Sequence, residues 1–171
     1  MNITLEQAVE MQRALDQIIH TEKGLLPADT IQNRIIALSV EFSELANELR
    51  FFKYWSEKGP SIANACEESA DCLHFIISIG LSLGLKVWLP DIPQVMQQKS
   101  VSEKYMDLQE GCKSLWLCVE TGDRMEARNT YERMLVDFMM VLIRYKITKK
   151  DLLYYYYVKN RINHERQENG Y

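Results

Sequence analysis

The chain has 171 residues, is 47% hydrophobic and 26% charged, and carries a formal net charge of -4. That size and apolar content suit one globular domain spanning residues 1–171, and seven Gly and four Pro are too few for a low-complexity or disordered chain. The acidic balance argues against a nucleic-acid groove binder, although an acidic protein still binds phosphates when metal ions supply the positive charge.

In chain order, Thr4 with Gln7 three residues on reads as a capping box. It opens a first helix that runs to about His20 and ends before Gly24. The opening segment has no basic, apolar leader pattern, which points to the cytoplasm. Pro27, Ala28 and Asp29 read as a break. A second helix is expected from about Thr30 to Trp55, with Leu38, Phe42, Leu45 and Leu49 as its apolar stripe. Lys58, Gly59 and Pro60 stop it, and Ser61 is placed to cap a third helix running to about Leu83.

The apolar run Leu73 to Leu89 carries His74, Ser78, Ser82 and Lys86. It is too short and too polar to span a membrane and reads as a buried helix. Pro90 and Pro93 bound a loop before a fourth helix, expected from about Val95 to Val119. A turn at Thr121-Gly122-Asp123 leads to a fifth helix over about Arg124 to Tyr145. Thr148 with Asp151 opens the last, which Asn169-Gly170 closes. No strand alternation, repeat or linker stands out, so the expected class is all-α, an antiparallel helical bundle. Cys66, Cys72, Cys112 and Cys118 form no CxxC or zinc spacing and read as reduced interior thiols. His20 and His164 read as surface residues.

The chemistry concentrates on the second and third helices. Glu41, Glu44 and Glu48 share one helix face, at about 100° per residue, and no Lys or Arg lies between Ile35 and Leu49. Glu68 and Asp71, with Glu67 beside them, repeat the i, i+3 spacing just before the apolar run. Two such pairs face to face repel one another unless compensated, and an all-oxygen cluster suits Mg²⁺ or Mn²⁺. The competing reading is a solvated charged face. On the last helix, Lys159, Asn163 and Arg166 fall at i, i+4 and i+7, with Asn160 and Gln167 on an adjacent stripe. That pattern fits a phosphate-binding face or a solvated terminal helix.

These residues resemble a known family. ExxE followed by ExxD on neighbouring helices is similar to the all-α NTP pyrophosphatase (MazG-like) superfamily. Within it, Phe52-Lys53-Tyr54-Trp55, the ExxDxxHF run from Glu68 to Phe75, and Lys159-Asn160-x-x-Asn163-x-x-Arg166-Gln167-x-x-Gly170-Tyr171 resemble the dimeric dUTPases. Gln12 and Leu15 resemble that family's QxxLN, with Asp16 standing where Asn is usual.

The resemblance implies a homodimeric dUTP diphosphatase that hydrolyses dUTP, and dUDP, to dUMP with two or more Mg²⁺ ions. It implies Glu41, Glu44, Glu68 and Asp71 as metal ligands, Glu44 also as the base, and Lys159 and Arg166 as phosphate contacts. Gln12, Asp16, Trp55, His74, Phe75 and Asn163 would form the nucleoside pocket. The implied partner is a small nucleotide, with neither nucleic acid nor membrane. Two rivals stand beside this: a house-cleaning pyrophosphatase for another nucleotide, such as dCTP or a modified base, and a non-catalytic helical interaction module.

Overall fold

The computed structural model describes residues 3–93 and 100–168. Among them lie six helices and no strand: α1 Leu5–Lys23, α2 Pro27–Leu49, α3 Ile62–Leu83, α4 Val101–Thr121, α5 Arg124–Arg144 and α6 Lys149–Glu168. Among the described residues no helix is long and apolar enough to cross a membrane.

Local chemistry sets several ends. The Thr4–Gln7 capping box forms at α1, and Gly24 closes that helix in the left-handed region at φ 64°. Asp151 receives the Thr148 N–H and O–H at the start of α6. The other boundaries correct the sequence reading. Pro27 begins α2 rather than breaking the chain, because proline at the first helical position lacks only an N–H that would be unpaired anyway. Asp29 accepts the Leu26 N–H one turn back.

At its far end α2 stops at Leu49, six residues before the expected Trp55. Arg50 turns left-handed at φ 60°, and its guanidinium holds the outgoing loop through Lys58 O at 2.9 Å and Ser56 Oγ at 2.7 Å. Ser61 sits at the N-cap of α3 but makes no side-chain cap bond. Ser100 and Glu103 form a full capping box at α4. The expected Val95 start and the Asn169-Gly170 stop lie outside the described residues.

α3 is the central helix, packed against α2, α6 and α1, while α4 pairs with α5 and also touches α2. Its buried residues include Leu73, Ile76, Ile77 and Ile79, which interlock with Ile35, Leu38, Phe42 and Leu45 of α2. Most of the apolar face of α5, Leu135, Phe138, Met139 and Leu142, is fully buried in the same core. It is therefore consumed within the chain, and any second copy would have to dock elsewhere. The four cysteines are free and buried.

α5 approaches α3 closely at Gly80. Tyr131 donates to Ile76 O at 2.9 Å, and a Cβ on Gly80 would collide with the Tyr131 hydroxyl oxygen. Gly80→Ala gains about 1 kcal/mol of helix propensity but overpacks a filled core, at about 1–3 kcal/mol. The expected outcome is a lower urea midpoint that Gly80→Ala/Tyr131→Phe partly restores, read by denaturant titration.

Candidate active site

The apolar and acidic positions of α2 interleave, so packing Phe42 and Leu45 inward brings Glu41 and Glu44 to the border of the core. α3 does the same with Leu73 and Glu68. One carboxylate oxygen each from Glu41, Glu44 and Glu68 lies within 4.8 Å of the others. Asp71 is diverted from that trio: Lys159 of α6 reaches its Oδ2 at 2.6 Å. Glu48 accepts from Asn64 Nδ2 at 3.0 Å, and Glu67 is exposed.

The electrostatics reflect the crowding. Burial, then the charges of Asp71, Glu44 and Glu68, push the Glu41 carboxyl up to about 7. Burial also raises Glu68, with Asp71 adding to it. Asp71 rises through burial although the Lys159 ammonium opposes the shift. Burial works against the Lys159 charge, yet its bond to Asp71 and the surrounding carboxylates raise it. None of Glu41, Glu44 and Glu68 has an ion-pair partner among the described residues. A hard divalent cation fits this set, since it would supply the missing charge to oxygen-only ligands.

Beside the trio a cleft of about 350 Å³ opens between α1, α2, α3 and α6, within the range of small-molecule sites. Glu41 and Asp71 form one end. Gln12, Asp16, His74 and Phe75 line it, with Asn163 and Arg166 brought in by α6. Lys159, Asn163 and Arg166 thus do share the face their spacing suggested.

Trp55 does not reach this cleft. It lies in the loop after α2, 65% exposed, edge-on to Phe52 and Tyr54. The early end of α2 carries it away.

Other lining residues escaped the sequence reading. His20 is 9% exposed rather than a surface residue, and its Nε2 lies 3.0 Å from Thr30 Oγ1. Arg34 donates to Ser78 Oγ at 2.7 Å and to Pro27 O at 2.6 Å. Ser78 donates to Asp16 Oδ2 at 2.7 Å. Its being the one basic residue of α2 was the signal available for Arg34. His74 stacks on Tyr156 at 4.1 Å between centroids, and burial pushes its imidazole down to about 3.

A family described as dUTPase matches residues 4–171. The chain belongs to the dUTPase family. No curated protein matches it. Membership makes the chain an enzyme of dUTP hydrolysis, with the all-helical architecture described above. The dUTPase match takes in the carboxylate trio on α2 and α3, the cleft, and the basic face of α6.

Crowding in this dUTPase has a measurable consequence without metal. Glu41 has a folded pKa near 7, well above its value of 4.5 as a free side chain. Between those values the folded chain binds more protons than the unfolded one, so its stability falls as pH rises from 4.5 to 7 and then levels off. Glu41→Gln is expected to flatten that slope and to melt higher than wild type above pH 7 in chelator, as read by calorimetry across pH.

Proposed function

We propose that the chain hydrolyses dUTP, and dUDP, to dUMP in a divalent-metal-dependent reaction that releases pyrophosphate from dUTP. The observation that carries this reading is the trio Glu41, Glu44 and Glu68, without an ion-pair partner among the described residues, beside a nucleoside-sized cleft that Glu41 lines. Glu41, Glu44, Glu68 and Asp71 would hold Mg²⁺ or Mn²⁺, in two or more ions. When bound, the metal supplies charge neutralisation for these carboxylates and for the phosphate oxygens.

The remaining roles belong to side chains. Glu44 is the exposed member of the trio and stands at the open side, where it orients a water and takes its proton. The water oxygen bonds to phosphorus, the bridging P–O bond between the α- and β-phosphates breaks, and the leaving phosphate carries off the electron pair. Lys159, already drawn in by Asp71, and Arg166 offset charge developing on the phosphates. Phe75 and Asn163 bound the nucleoside end, with Phe75 as the apolar wall against a ribose 2′-hydroxyl. Gln12, Asp16 and His74 make up its polar side. Trp55 takes no part in this pocket within one chain.

We also take the active form to be a homodimer in the cytoplasm. The exposed pair Ile36 and Val40, one turn apart on α2, is apolar surface that a second copy could cover. Sedimentation at micromolar concentration is expected to give a dimer.

The test is pyrophosphate release from a panel of dUTP, dTTP, dCTP and UTP. Activity is expected on dUTP above the others, to vanish in excess chelator and to return with Mg²⁺ or Mn²⁺. Glu44→Gln should lower kcat by about 10²–10⁴, the worth of a positioned base, while remaining folded. Full turnover after exhaustive metal removal would overturn the mechanism, and a preference for dCTP or a modified nucleotide would overturn the substrate.

A further inference from the structure

Asp16 joins a polar chain that crosses the inner wall of the cleft. Arg34 Nη1 donates to Ser78 Oγ at 2.7 Å, and Ser78 donates to Asp16 Oδ2 at 2.7 Å. From the other side Gln12 Nε2 donates to Asp16 Oδ1 at 2.7 Å. The opposite end of the Gln12 amide, Oε1, lies 2.6 Å from His74 Nδ1 and accepts from Tyr156 at 3.0 Å. Arg34 Nη1 stands 3.9 Å from Asp16, so the carboxylate has a compensating charge.

A carboxylate only accepts hydrogen bonds, whereas an amide has a donating and an accepting end. With Asp at 16, the NH₂ of Gln12 must face Asp16, so Oε1 must face His74. His74 then carries its proton on Nδ1. Its Nε2 is left with a lone pair, buried and without a hydrogen-bond partner among the described residues, on a side chain that lines the cleft.

We propose that Asp16 is a positioning residue that sets the direction of the Arg34–Ser78–Asp16–Gln12–His74 chain, so that His74 offers the cleft a hydrogen-bond acceptor. The proposal rests on the reading of this cleft as the nucleoside site. It adds that the nucleoside must present an N–H or O–H donor to His74 Nε2: the base N3–H or a sugar hydroxyl.

Asparagine at 16 would reverse the chain. Its Oδ1 would keep the Ser78 donor, so its NH₂ would face Gln12. Gln12 would turn its NH₂ toward His74 Nδ1 and the Tyr156 oxygen. Tyr156 permits this: its one O–H, shared by Gln12 Oε1 and Ala8 O in wild type, would go to Ala8 O alone at 2.9 Å, and its oxygen would accept from Gln12. His74 would then carry its proton on Nε2 and offer a donor.

The experiment is ¹⁵N NMR of the full chain with labelled histidine, without nucleotide, comparing wild type with Asp16→Asn. The expected result is a bare Nε2 in wild type and a protonated Nε2 in the variant. Because Asp16→Asn leaves the Arg34 charge without its partner, Asp16→Asn/Arg34→Gln is measured beside it. A protonated Nε2 in wild type, or an unchanged bare Nε2 in both folded variants, overturns the proposal.

Kinetics with N3-methyl-dUTP and 3′-deoxy-dUTP then identify the donor. Wild type should lose tenfold or more in kcat/KM on the analogue that lacks it, and the variant should lose that discrimination. Failure to hydrolyse dUTP at all, with the tautomer reversed as expected, supports the role of Asp16 and overturns only the substrate reading.

Discussion

Like charges brought together by apolar packing govern this molecule. Glu41 and Glu44 sit beside Phe42 and Leu45 in sequence, and Glu68 lies five residues from Leu73, so the contacts that join α2 to α3 also force three carboxylates within 4.8 Å. Each large apolar side chain buried in that seam contributes about 1.5–3 kcal/mol. A handful of them outweighs the repulsion between groups that are partly open to water. The helices therefore hold the trio in place by themselves, and the Glu41 carboxyl is raised by its burial first and by that repulsion second. A site built this way gains twice from a cation, through attraction and through relief of repulsion.

α6 completes the arrangement from the other end of the sequence. Tyr156 is fully buried and anchors the helix by donating to Ala8 O of α1 and by stacking on His74 of α3. One turn further, Lys159 takes Asp71, and the next two turns bring Asn163 and Arg166 to the cleft. Asp71 still adds to the charge that Glu41 and Glu68 feel, and the Lys159 ammonium offsets part of it.

Much of this was legible in the sequence because it depends on short spacings. The helical periods, the Thr4–Gln7 and Thr148–Asp151 caps, the ExxE and ExxD pairs and the Lys159-Asn163-Arg166 stripe are all fixed within one or two turns of chain. What escaped depends on distant partners or on a single backbone angle. Phe51 and Phe52 continue the apolar pattern of α2, so nothing local announces the left-handed Arg50 that ends the helix and leaves Trp55 in a loop. The choice of Asp71 rather than Glu68 for Lys159 is made between residues 88 positions apart. Burial of His20 and the Asp16–Ser78–Arg34 chain likewise need α1, α2 and α3 together, so His20 read as surface and Arg34 drew no notice.

The cleft divides its two tasks by charge. At the Asp71 end it meets a negative cluster that asks for cations and, through them, for phosphate. Seven residues along α3, roughly 10 Å at the helical rise, Ser78 marks the other end. There Asp16 and Arg34 offset each other, and the nearby imidazole of His74 stays uncharged because burial pushes it down to about 3. A neutral base would find hydrogen-bonding groups there, while its phosphates would lie toward the carboxylate cluster. Discrimination among bases then falls to the direction of individual hydrogen bonds, where a group left unpaired in a buried site is costly. Exchanging one carboxylate for an amide at position 16 would change no shape and yet reverse that direction.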